Sequence, residues 1–183
     1  MGTDLGRFVL RATVGGIFVE HGTQKLFGWF GGHGPDGTGQ FFESVELRPG
    51  RRNAVAAGAA EAGGGTLLAL GLATPAAAAA LGSVMVTALR TVVWRDGIKV
   101  GTGGYELLLL ANAITLADLG PGTFSLDALL GQERRGARWA ALALAGALVG
   151  SALAVAAGKR GSPTDDSSAA GQREEAEAAA ATP

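Results

Sequence analysis

The stretch EHGTQKLFG, residues 20–28, ends an apolar run over residues 8–19 with several polar and charged side chains. At about 3.6 residues per turn, His21, Gln24 and Lys25 share one face of the predicted helix. Groups that are costly to desolvate rarely lie inside a bilayer segment without a partner or a function. The stretch therefore predicts the polar end of a membrane-spanning helix, and its partners are expected elsewhere in the chain.

The composition narrows the class of protein. Apolar blocks separated by short polar breaks fill most of the 183 residues, which is typical of helical membrane proteins. The formal net charge is -1 and the basic residues are scattered, so nucleic acid is not an expected partner. The chain has no cysteine, which excludes disulfides, thiolate metal sites and thiol redox chemistry. We expect no metal site and no intrinsic cofactor.

The apolar blocks predict five membrane spans. They cover residues 5–27, 54–72, 76–94, 105–119 and 139–157. Short connections make consecutive spans antiparallel. The predicted fold class is an all-α membrane protein, with an antiparallel four-helix transmembrane bundle plus an additional C-terminal transmembrane helix. We divide the chain into a four-helix domain (1–130), a loop with the fifth helix (131–158) and a disordered polar tail (159–183).

Two short segments between the spans are also predicted. Residues 41–47 fit a brief amphipathic helix at the membrane surface or, equally well, a loop with buried aromatic side chains. Ser125 fits the N-cap of a short helix through Leu130, with Asp127 as an acid of its first turn. The proline and glycines just before it end the fourth span.

Alternating spans bring one end of each of the first four helices to the same side of the membrane. The polar residues at that side form a candidate binding pocket: His21, Gln24, Lys25, Glu61, Arg90 and Glu106. Because the group contains both signs of charge at similar depth, its members can neutralise one another.

Four stretches, in this order and spacing, resemble the DoxX family of small bacterial membrane proteins. They are HGTQKLFGWFGG (21–32), Glu61 in the Gly-rich second span, GYELLLL (104–110) and GPGTFSLD (120–127). The resemblance extends from about residue 5 to residue 130. It implies a four-helix membrane bundle, so the fifth span and the tail are additions.

The resemblance also implies a function. DoxX-like proteins are associated with quinone-linked oxidation of sulfur compounds, as small subunits of thiosulfate:quinone oxidoreductases, and with membrane complexes that manage oxidative or thiol stress. We therefore expect a multi-pass protein of the bacterial inner membrane that is at most a non-metal subunit of an oxidoreductase. Its expected partners are the lipid bilayer, redox proteins, and a bound quinone or small oxyanion.

Three interpretations of the pocket follow. In the first, the pocket binds a quinone head group or a small oxyanion: Lys25 and Arg90 attract an anion, and His21 moves a proton as a quinone is reduced. In the second, the charged residues only pair with one another and fix the register of the helices, which makes the protein a structural scaffold for partner proteins. In the third, the pocket belongs to a small-solute carrier, although the sequence shows no duplicated halves.

Overall fold

The computed structural model describes residues 2–95, 97 and 101–160, and this part of the chain is helical, as predicted. Its helices are α1 (Gly2–Phe27), α2 (Gly34–Ser44), α3 (Gly50–Leu70), α4 (Thr74–Ala88), α5 (Gly104–Leu119), α6 (Leu126–Leu129) and α7 (Ala137–Arg160). A π-helical turn, Leu89–Val93, continues α4. By length and composition, two described helices are apolar enough to cross a membrane, Thr74–Val93 and Ala137–Lys159. The other spans stay predictions.

The long helices pack side by side around one apolar core. Helix α1 lies along α3, α3 contacts α4, and α4 contacts both α5 and α7. Phe18, Leu68, Leu81 and Leu116 are fully buried between them. Close packing of this kind depends on small residues where two helices cross. At Gly22 of α1, an added Cβ would lie 2.4 Å from the Ala62 nitrogen, so the two backbones touch there.

The end of the bundle opposite residues 20–28 is fixed by Asp127. Its carboxylate accepts hydrogen bonds from the Ala73 nitrogen (3.0 Å) and the Thr74 nitrogen (3.4 Å) at the start of α4. The sequence assigns Asp127 only to the first turn of its own helix. In the structure it is buried and caps a different helix, about fifty residues earlier in the chain. The predicted cap at Ser125 is confirmed, since its hydroxyl oxygen accepts from the Ala128 nitrogen at 3.1 Å.

Arg11 is a buried cation at the same end of the bundle that sequence reasoning overlooked. Its side chain is 1% exposed, and it donates hydrogen bonds to the carbonyl oxygens of Ala69, Pro121 and Phe124. A guanidinium offers five N–H donors in a fixed fork, which suits several carbonyls at once. Arg11 thus ties α1 to the end of α3 and to the loop between α5 and α6.

Helix α7, whose placement the sequence left open, packs on α4 and α5. Small residues meet across the contact with α4, where an added Cβ at Gly150 would lie 2.9 Å from the Ser83 Cβ. The end of α7 reaches the loop before α3, because the Arg48 nitrogen donates to the Gly158 carbonyl at 3.1 Å. The predicted tail begins at residue 159, but Lys159 and Arg160 belong to α7, and residues 161–183 lie outside the described residues.

Candidate functional site

A cavity of about 400 Å³ lies at the end of the bundle where α1 stops and α3 begins. Most of its wall is apolar, with Phe18 of α1, Phe41 and Phe42 of α2, and Leu109 of α5. Helix α7 contributes Ala154. Of the six predicted pocket residues, the cavity is lined by His21, Lys25, Glu61 and Glu106.

The shortest polar contact in the cavity joins α1 to α3. The Lys25 Nζ lies 2.6 Å from Glu61 Oε2, and the Glu61 side chain is 2% exposed, against 20% for Lys25. The pair forms because the two helices approach closely through small residues. An added Cβ at Gly58, for example, would lie 3.1 Å from the Lys25 Cβ. The ammonium also lies 3.4 Å from the His21 carbonyl oxygen, so two of its three protons have acceptors.

A second polar contact joins α1 to α5. His21 Nε2 lies 3.0 Å from the Tyr105 hydroxyl oxygen, and the two ring centroids are 5.9 Å apart. Either group can be the donor, depending on the tautomer of the imidazole. The sequence marks Tyr105 only as an aromatic at the membrane interface. Its position at the start of α5, beside Glu106, was the signal that could have placed it in the pocket.

Gln24 and Arg90 do not line the cavity. The Gln24 amide nitrogen lies 3.4 Å from Glu20 Oε1. The Arg90 side chain is exposed, and its Nη1 lies 3.3 Å from the Ser151 hydroxyl oxygen on α7. The sequence grouped Arg90 with the pocket by its depth along the helix. Arg90 instead lies in the π-helical turn Leu89–Val93 and contacts α7 through Ser151.

The charges around the cavity favour neutral or cationic ligands. Among the described residues that line it, Lys25 is the one lysine or arginine, whereas Glu61 and Glu106 supply two carboxylates. Like charges repel strongly at sites that are poorly solvated. A small oxyanion would therefore meet net negative charge here. No three His, Asp or Glu side chains converge as a metal-ligand set within the described part of the chain.

Hydroxyl groups on α4 form a further part of the wall that the sequence reading missed. Ser83, Thr87 and Thr91 all line the cavity and follow a four-residue spacing that was visible in the sequence. Each donates its proton to a backbone carbonyl of α4, at 2.7 Å for Ser83, 2.7 Å for Thr87 and 2.9 Å for Thr91. The Thr87 oxygen also lies 3.0 Å from the Ser151 oxygen of α7.

Comparison with known proteins identifies the family. Residues 6–94 match the DoxX family model. No curated protein and no solved structure matches the chain. The match covers α1 through the π-helical turn, including His21, Lys25 and Glu61, and it ends earlier than the predicted limit at residue 130. Residues 6–94 therefore form a DoxX domain, as the resemblance predicts.

Proposed function

We propose that this protein is a multi-pass subunit of an oxidoreductase system in the bacterial inner membrane, and that its cavity binds the head group of a quinone. The observation that carries the proposal is the combination of aromatic walls with two polar contacts in one cavity, Lys25 to Glu61 and His21 to Tyr105. Small-molecule sites are mostly apolar cavities with a few polar groups that fix orientation. A volume of about 400 Å³ lies within their usual range.

The charges of the lining residues favour a neutral quinone over an oxyanion as the ligand. The lining residues place two carboxylates against one ammonium, and the ammonium already has a carboxylate partner. Arg90, which was expected to attract an anion, points to Ser151 instead. A quinone head group brings no charge into the cavity, and its carbonyl oxygens accept hydrogen bonds. Lys25, His21 and Tyr105 are the side chains that can donate to them.

The chemistry assigned to this chain is binding and proton transfer. Reduction of a quinone to its quinol needs two electrons and two protons. The electrons must come from a partner redox protein, such as one that oxidises sulfur compounds or thiols, because the chain has no cysteine. His21, hydrogen-bonded to Tyr105, is suited to pass protons because an imidazole ordinarily titrates near neutrality.

One observation favours a structural role for the same residues. Glu61 is almost fully buried and its partner Lys25 lies at 2.6 Å, a geometry that also serves to fix the register of α1 against α3. In that case the protein is a membrane scaffold, and the cavity needs no ligand. The two roles differ in whether the cavity binds a quinone.

Binding of a short-chain benzoquinone to the purified protein in nanodiscs, measured by titration calorimetry, tests the proposal. We expect the wild type to bind it, and Tyr105→Phe and His21→Phe to weaken binding about tenfold, the effect of one lost buried hydrogen bond to a quinone carbonyl. Gln24→Ala is the matched control, since Gln24 lies on α1 near the cavity without lining it. We expect its affinity to equal that of the wild type.

Two results would contradict the quinone site. The first is a wild type that does not bind the quinone. The second is a pair of variants that bind normally but unfold at lower temperature, which would support the scaffold. A carrier would instead move solute across vesicles that contain this protein alone.

A further inference from the structure

Hydrogen-bond donors around the cavity are largely used within the protein. The hydroxyl protons of Ser83 and Thr91 go to backbone carbonyls of α4. The Asn53 side-chain nitrogen donates to the Pro49 carbonyl at 3.1 Å. Because a hydroxyl has one proton and two lone pairs, Ser83 and Thr91 can still accept a hydrogen bond from a ligand but have no proton left to donate, whereas the Asn53 amide keeps one of its two N–H protons.

The charged groups that line the cavity also offer a ligand more acceptors than donors. Glu61 uses Oε2 for the Lys25 ammonium, and its other oxygen can only accept while the group is ionised. Glu106, which also lines the cavity, is an acceptor in the same sense. Lys25 keeps one proton beyond its contacts with Glu61 and His21, and the His21–Tyr105 pair keeps one proton in either tautomer. Among the described lining residues, acceptors for a ligand therefore outnumber donors.

We infer that the cavity binds a quinol more tightly than the corresponding quinone. This inference rests on the proposed function, because it concerns the same cavity and the same ligand class. A quinone has carbonyl oxygens that only accept, whereas a quinol has two hydroxyl groups that donate. The quinol can satisfy acceptors such as Glu61 and Thr91, which a quinone leaves without a partner. An unsatisfied polar group in a desolvated site weakens binding.

The decisive measurement compares three ligands that share one ring: a short-chain benzoquinone, its quinol kept reduced under anaerobic conditions, and the dimethyl ether of that quinol. The ether has nearly the shape of the quinol but cannot donate. We expect the quinol to bind about tenfold more tightly than either of the others, as for one additional buried hydrogen bond. The assay is titration calorimetry on the full chain in nanodiscs.

The outcomes separate the two proposals. If the quinone binds as tightly as the quinol, or more tightly, the inference is overturned. The proposed quinone site would still be supported by that result. If the ether binds as tightly as the quinol, contacts with the ring rather than donated hydrogen bonds decide the affinity. This result would also overturn the inference. Failure of all three ligands to bind would overturn both the inference and the proposed function.

Conservative substitutions test which side chains cause the preference for quinol over quinone. Thr91→Val removes one acceptor oxygen from the cavity while keeping the branched shape of the side chain, so we expect quinol affinity to fall and quinone affinity to stay the same. Ser83→Ala is a second variant with the same expectation. Thr66→Val is the matched control, because Thr66 is exposed on α3 outside the cavity and its hydroxyl likewise donates within its own helix, to Ala62 at 2.7 Å. If the ratio of quinol affinity to quinone affinity stays at the wild-type value in both cavity variants, the inference is contradicted.

Discussion

The Lys25–Glu61 pair shows how two individual residues constrain the bundle. A buried ion pair contributes little net stability, because desolvation of both charges offsets their attraction. Loss of one partner is different, since the other charge then stays buried and unpaired. Glu61 is the more buried member, so loss of Lys25 costs more free energy than loss of Glu61. The pair therefore specifies how α1 lies on α3 more than it stabilises the fold.

A mutant cycle tests this explanation. We expect Lys25→Met to destabilise the protein by about 3 kcal/mol, because it leaves the Glu61 carboxylate without its cation. The double variant Lys25→Met with Glu61→Gln removes both charges, so we expect it to recover most of that loss. Thermal unfolding in a mild detergent measures both. A double variant less stable than Lys25→Met would contradict the explanation.

Asp127 offers a second test at single residues. We expect Asp127→Ala to destabilise the protein by about 1 to 2 kcal/mol, because the first nitrogens of α4 lose their acceptor. Asp118→Asn is the control, since Asp118 is exposed near the end of α5, where a surface change has an effect within about 0.5 kcal/mol. Equal unfolding temperatures for the two variants would show that the capping contact is not needed.

Only part of the site could be predicted from single residues. Spacing along α1 and alternation of the spans brought His21 and Lys25 to the same end as Glu61, and the structure places them around one cavity. Neither argument states which partner a long side chain reaches, and Arg90 contacts Ser151 of α7 instead of lining the cavity. The partner of Asp127 lies far away in the chain, where no local pattern indicates it.

Among the helices, α1 and α3 form the closest contact, and neighbouring glycines of α1 allow a matched test. At Gly15 an added Cβ would lie 2.6 Å from the Gly65 carbonyl oxygen, whereas at Gly16 nothing lies within 4 Å. We expect Gly15→Ala to lower the unfolding temperature, because the helices must separate. We expect Gly16→Ala to leave it unchanged or raise it, since alanine favours helix by up to about 1 kcal/mol. Thermal unfolding of the two variants, side by side, gives the comparison.

The same two variants can contradict the packing described for α1. Equal stability of Gly15→Ala and Gly16→Ala would mean that the α1–α3 contact is looser than 2.6 Å implies. A loss confined to Gly16→Ala would mean that the opposite face of α1 is the packed one.

Helices were the most predictable level of the fold. The helix bounds predicted at 5–27 and 105–119 agree with α1 (Gly2–Phe27) and α5 (Gly104–Leu119) to within a few residues, because long apolar runs end at glycine or proline. Helix α2 begins at Gly34, well before the predicted start at residue 41. Glycines usually indicate a loop, but Pro35 in the first turn already has a helical φ.

For the whole molecule, the order of the helices predicts sidedness. Gln40 in α2 lies at the cavity end of the bundle, and Gln132 follows α6 at the opposite end. Both side chains are exposed, and the chain has no native cysteine to interfere with labelling. We expect Gln40→Cys and Gln132→Cys to react with a membrane-impermeant maleimide from opposite sides of the cell membrane. Labelling of both from the same side would contradict the proposed five-span arrangement.

Helix α7 lies beyond the segment that matches the family, yet its Ala154 forms part of the cavity wall. The Lys25–Glu61 pair thus lies inside the matching segment, whereas α7, which helps set the width of the cavity, lies outside it. Evolution can replace the side chain at position 154 with a larger or smaller one and leave α1 to α4 untouched. The width of the cavity can therefore diverge among homologues that share the Lys25–Glu61 pair.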